Sequence, residues 1–80
     1  MKIEILGTGC PKCKMLMQLT QQAVAELGLA AQITKVEDIG AIIHYGVMST
    51  PALVINGKVV LAGHLVSVEK IKEFLLEQKQ

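Results

Sequence analysis

Tryptophan and arginine are both absent from this 80-residue chain, and Tyr45 and Phe74 are its only aromatics. The core must therefore be aliphatic, built from Ile, Leu, Val, Ala and Met. An apolar content of 51% favours a compact fold over a disordered chain. Eight lysines and seven acids are spread along the chain and leave a net charge of +1. With neither clustered basic residues nor aromatics for base stacking, a nucleic-acid partner is not expected. No apolar run reaches the roughly 20 residues needed to span a bilayer, so no membrane partner is expected. The opening "MKIEILGTG" carries Glu4 inside its apolar stretch and lacks a small-residue cleavage site, so it does not read as a signal peptide. The length fits one domain, residues 1–80, of a size that buries only about 60% of its unfolded surface. The expected setting is a reducing cytoplasm and the expected state a monomer.

Cysteine is scarce too. Both copies, Cys10 and Cys13, lie in "GTGCPKCKML", residues 7–16. In a reducing compartment, paired cysteines are more often catalytic or metal-binding than structural. A disulfide closing so short a loop stabilises by only about 2 kcal/mol in the chain-entropy model, which makes it a poor staple.

Around that stretch the chain divides into short elements. "KIEIL" (Lys2 to Leu6) alternates polar and apolar residues and predicts a strand that ends at Gly7-Thr8-Gly9. Pro11 suits the first turn of a helix, where the amide it lacks would be unpaired anyway. Cys13, Leu16, Met17, Thr20, Ala23, Val24 and Leu27 recur at helical spacing, and Gly28 is a C-terminal stop. Residues Ala31 to Asp38 predict a second strand. Asp38 can cap a short helix through "IGAIIHYG", which Gly40 and Gly46 weaken. "ALVINGKVVLAG" places two β-rich runs around Asn56-Gly57, the dipeptide preferred by a type I′ hairpin. Ser67 can cap a last helix with Val68, Ile71, Phe74 and Leu75 as its apolar stripe. The order βαβαββα predicts an α/β fold, a four-stranded mixed sheet flanked by helices.

The cysteine pair has three readings. At i and i+3 on a helix start, the two side chains share a face and come close enough for a disulfide. Unpaired amides and the helix dipole stabilise a thiolate there, and Lys12 and Lys14 add positive charge. Such surroundings lower a cysteine pKa from about 8.5 toward or below neutrality. Cys10, at the mouth of the helix, is then the expected nucleophile, and Cys13, one turn in, the expected resolving thiol. In the second reading, the same strand–loop–helix presentation offers two thiolates to a soft ion such as Cu(I). Two thiolates are too few for a closed zinc site, and His44 and His64 are the only further soft donors. Ferredoxin-like metal domains end on a strand, whereas this chain ends on an amphipathic helix. The third reading is a pair of unreactive, buried thiols.

"GTGCPKC" at a strand–helix junction, "VMSTPALVINGKVV" some 35 residues on, and the final helix together resemble the thioredoxin-like superfamily. The likeness runs over essentially the whole chain and is greatest to the small single-domain redox-active disulfide proteins of bacteria and archaea. The resemblance implies a thiol–disulfide oxidoreductase without a bound cofactor or metal, with Cys10 attacking and Cys13 resolving. Pro11 and Lys12, between the cysteines, would tune the couple. Pro51 would match the cis-proline beside the disulfide, and the backbone at Ser49 and Thr50 would pair with an extended substrate segment. The partners implied are disulfide-containing proteins or small molecules and a recycling reductase. Gly9 stands where typical thioredoxins have tryptophan. "CPKC" is nearer the CPYC of glutaredoxins, but "LAGHLVS" lacks the glycine pair and acid with which those proteins hold glutathione. A thiolate metal-binding or metal-transfer module through Cys10 and Cys13 is the alternative, and a non-catalytic redox sensor shares the chemistry without the turnover.

Among the remaining features, Met15 and Met17 are expected in core or rim packing. Met48 is expected to line an apolar surface near the site, Ile42 and Ile43 to be core, and Lys58 to be solvated.

Overall fold

The computed structural model describes residues 1–79. The elements follow the expected order: β1 (Lys2–Leu6), α1 (Pro11–Leu27), β2 (Gln32–Val36), α2 (Ile39–His44), β3 (Ala52–Ile55), β4 (Lys58–Ala62) and α3 (Val68–Lys79). The sheet order is β2-β1-β3-β4. β1 runs parallel to β2 and antiparallel to β3, and β3 runs antiparallel to β4. This is the four-stranded mixed sheet of the thioredoxin-like arrangement.

Strand periodicity divides the core in two. Ile3 and Ile5 of β1, with Leu53 and Ile55 of β3, face Leu16 and Ala23 of α1 and Ile71 and Leu75 of α3. Each fully buried Leu or Ile there stabilises by about 1.5–3 kcal/mol. On the other face Leu6, Ala52 and Val54 meet Ile42 of α2 and Val47. β1 is central and buried at both parities, which its polar–apolar alternation does not suggest. Glu4 shares the parity of Leu6 and is buried on the α2 face, 9% exposed.

Local chemistry sets the helix ends. Gly28 adopts φ +65°, and Leu29 N–H donates to Val24 O at 3.1 Å, closing α1 through a glycine turn. Thr20, buried on the apolar face of α1, satisfies its hydroxyl by donating to Leu16 O at 2.8 Å. The Asp38 carboxylate accepts from Ala41 N–H at 2.9 Å and caps α2, while Ser67 Oγ accepts from Lys70 N–H at 3.2 Å at the start of α3. Asn56 and Gly57 both have positive φ, as a type I′ turn requires. Lys72 of α3 pairs with Glu26 of α1 and holds that carboxyl below its ordinary pKa.

One packing expectation needs correction, that for Ile43. Ile42 is buried, but Ile43 is 65% exposed. Successive helical residues point about 100° apart, so a six-residue helix lying on a sheet buries only one of such a pair. Met17 packs against the larger core, whereas Met15 is half exposed because it falls off the apolar stripe of α1. Met48, 98% exposed, projects from the loop after α2.

Candidate active site

The site forms where β1 hands the chain to α1. Gly7 N–H donates to Val36 O at 3.0 Å, extending the β1–β2 ladder one residue beyond the strand. Gly9, at φ +88°, turns the chain into the helix. Cys10 is the N-cap residue, with extended backbone, and Pro11 occupies the first turn. A sulfur here takes the place that an oxygen holds in most caps, because Cys13 N–H donates to Cys10 Sγ at 3.2 Å. The next amide, Lys14 N–H, donates to Cys10 O at 3.1 Å.

Cys10 and Cys13 form a disulfide, their Cα atoms 5.1 Å apart. The two sulfurs differ in environment. Cys10 is half-buried at the helix mouth, and Cys13 is 6% exposed, within the apolar stripe. The first turn of α1 contains no acid, and Lys12 and Lys14 are both exposed on it. The Cys13 amide directed at Cys10 Sγ, the helix dipole and a first turn that carries two lysines and no acid thus give Cys10 a positive setting.

The segment expected opposite the cysteines lies beside them. The Thr50–Pro51 bond is cis, Pro51 is fully buried, and Ser49 and Thr50 are exposed. A Cβ built on Gly7 would overlap Cys13 Sγ and stand 3.9 Å from Thr50 Cβ, so Gly7 is the narrow point between the disulfide and this segment. Gly63, just past β4, donates from its N–H to Pro51 O at 2.9 Å. It has φ +85°, and a side chain there would crowd Ser49 Cβ at 3.0 Å. The structure therefore gathers Cys10, Pro11, Lys12, Cys13, Ser49, Thr50 and Pro51 at one end of the sheet. His64 is exposed, with Nδ1 3.2 Å from Ala62 O, and His44 is exposed at the end of α2. Among the described residues no three His, Cys, Asp or Glu side chains converge as a metal site would need.

Two features went unread in the sequence. Tyr45 O–H donates to Glu4 Oε1 at 2.6 Å, tying the end of α2 to the central strand. That bond to a carboxylate pushes the phenol pKa up. A carboxylate between the two isoleucines of "KIEIL" was the available signal. The second feature is a small cleft beside Cys13, floored by Ile5 and Gly7 and rimmed by Lys14, Lys35 and Glu37. Lys35 reaches it because β1–β2 pairing sets Lys35 beside Ile5 on the same face.

The family model described as "Thioredoxin domain" matches residues 1–76. The chain belongs to the thioredoxin family. A thioredoxin of Methanothermobacter thermautotrophicus is 39% identical over 75 residues, covering 94% of this chain and 97% of that protein. A thioredoxin of Methanocaldococcus jannaschii is 44% identical over 73 residues, covering 91% and 84%. The thioredoxin-like sheet and the disulfide at the start of α1 accord with that membership, and the chain is a thiol–disulfide oxidoreductase.

Proposed function

We propose that this thioredoxin-family chain reduces disulfides of proteins or small molecules through its own "CPKC" dithiol, with Cys10 as attacking sulfur and Cys13 as resolving sulfur. The observation that carries the assignment is the asymmetry at the helix start. Cys10 Sγ accepts the Cys13 amide at the positive end of α1, while Cys13 is buried one turn in. A thiolate on Cys10 gains from that amide and from the dipole, and it is the more accessible of the two.

In the reaction the Cys10 thiolate attacks one sulfur of a substrate disulfide. The substrate S–S bond breaks, a Cys10–substrate disulfide forms, and the other substrate sulfur leaves as a thiolate. The Cys13 thiolate then attacks Cys10 Sγ, forming Cys10–Cys13 and expelling the second substrate thiolate. Two electrons pass to the substrate, and its thiolates take protons from solvent or from the departing cysteine protons. A reductase returns the pair to the dithiol, and no bound cofactor enters the cycle. Pro11 sets the helix start, and Lys12 adds charge beside Cys10. Ser49 and Thr50, exposed and held next to the disulfide by buried Pro51, pair through their backbone with an extended substrate segment. Cytoplasmic protein disulfides are the substrates this reading favours.

A Cys13→Ala variant is expected to accumulate substrates as mixed disulfides on Cys10, identified by mass spectrometry, while Cys10→Ala accumulates none. Titration of the reduced protein is expected to place the Cys10 thiol below the ordinary value of about 8.5. Trapping on neither cysteine, or stoichiometric Cu(I) binding without disulfide exchange, overturns the assignment.

A further inference from the structure

The loop that leads to the disulfide carries a large apolar side chain that the fold does not use. Met48 is 98% exposed and stands immediately before Ser49 and Thr50. It packs against neither core cluster. An extended segment paired along Ser49 and Thr50 runs past position 48. A long, unbranched thioether there adapts to whatever apolar side chain the segment presents, which is how methionine serves surfaces that accept varied partners.

Peroxide chemistry singles out the same residue. With Cys10 and Cys13 joined, no free cysteine is present among the described residues. The thioethers are then the oxidisable sulfurs, and susceptibility follows exposure. Of the four methionines, Met1 and Met17 are partly buried against the larger core, and Met15 is 51% exposed. Met48 is the most accessible of the set.

We propose that Met48 is a substrate contact that hydroperoxides modify: its thioether covers apolar side chains of protein substrates, and its sulfoxide releases them. The inference rests on the redox reading above and adds a regulated contact to it. The oxidant is a hydroperoxide. The Met48 sulfur attacks its outer oxygen, the O–O bond breaks, and an S–O bond forms. The sulfur is oxidised by two electrons to the sulfoxide, and the peroxide is reduced to water or an alcohol. The disulfide keeps both cysteines out of the reaction. A sulfoxide is polar where the thioether was apolar, so the protein leaves peroxide exposure with its redox couple intact and its hold on protein substrates weakened. Methionine sulfoxide reductases restore the thioether.

The test treats the oxidised full chain with hydrogen peroxide until one oxygen has been added, and locates that oxygen by peptide mass spectrometry. The treated protein is then reduced with dithiothreitol and desalted. Its single-turnover rate is measured with insulin as a protein disulfide and with 2-hydroxyethyl disulfide as a small polar one. The oxygen is expected on Met48 ahead of Met15. The second-order rate constant for insulin is expected to fall about threefold to tenfold, the share of a methionine's transfer free energy that a half-covered side chain loses. The rate constant for 2-hydroxyethyl disulfide, which has no segment to lay on Met48, is expected to hold. Met48→Gln is expected to reproduce the insulin loss without peroxide, and Met48→Leu to react with insulin equally before and after treatment. Oxidation of Met15 ahead of Met48, an unchanged insulin rate with the sulfoxide in place, or equal slowing of both disulfides overturns the Met48 contact. Each of those leaves the Cys10 mechanism standing. Failure of the untreated dithiol to reduce either disulfide overturns the Cys10 mechanism itself.

Discussion

The two faces of the sheet are built on different principles. The face under α1 and α3 is closed chiefly by apolar burial, with Ile3, Leu16, Leu53, Ile55, Ile71 and Leu75 fully enclosed between the sheet and two long helices. The other face is covered by a six-residue helix that contains Gly40 and buries one side chain, Ile42. There the Tyr45–Glu4 hydrogen bond supplements a smaller cluster. A short helix cannot be held by propensity and offers little area to bury, so one directional bond to the central strand takes a larger share of fixing it. The redox sulfurs sit at the start of α1, on the better-packed side. The segment beside them, residues 49–51, follows the lightly held α2.

Truncation within the two cores should separate them most clearly. Leu16→Ala, in the thick core, is expected to cost about 2–5 kcal/mol in denaturant unfolding, and Ile42→Ala is expected near the low end of that range because its site can collapse toward solvent. Equal losses at the two positions would break the comparison. Next in size, Tyr45→Phe leaves the buried Glu4 carboxylate without its donor and is expected to cost about 1–3 kcal/mol at neutral pH. Its pH dependence sharpens the point. The folded phenol holds its proton more tightly than the unfolded one, so its contribution is complete below the unfolded phenol pKa, near 10. It is lost as pH rises through the folded value. Wild type should therefore lose stability above about pH 10 more steeply than Tyr45→Phe, in paired unfolding curves that share the lysine titrations. The smallest effect is expected from Glu26→Gln, which removes the exposed tie between α1 and α3. The Glu26 carboxyl pKa is lowered, so its contribution is present at neutral pH and lost as pH falls through the folded value. Added salt should erase the difference between Glu26→Gln and wild type.

Much of this was legible in the sequence because local rules and tertiary packing agree. The Asn56-Gly57 hairpin, the Asp38 and Ser67 caps and the glycine stop at Gly28 are decided within a few residues, and each occurs where its chemistry places it. The cysteine pair was legible for the same reason, since its helix start is set by Gly9, Cys10 and Pro11 alone. What depended on register was not legible. Nothing in "AQITKVED" says that Lys35 shares a face with Ile5 and Cys13 until β2 is paired parallel to β1. Glu4 looked like the polar member of a half-buried strand. Only the position of β1 between β2 and β3 buries both its parities and gives that carboxylate to Tyr45. Ile43 failed in the opposite sense, since its hydrophobicity suggested core and the angular width of a single helical turn left it outside.

The sulfur that caps α1 is also one terminus of the redox couple, and that double duty binds two equilibria into one thermodynamic cycle. Whatever free energy the Cys13 amide and the helix dipole give to a Cys10 thiolate, that thiolate returns to the first turn of the helix. Gaining electrons and fastening the start of α1 are thus reciprocal events. The exchange rate of the Cys13 amide proton becomes an internal gauge of the protein's oxidation state, readable without touching either sulfur.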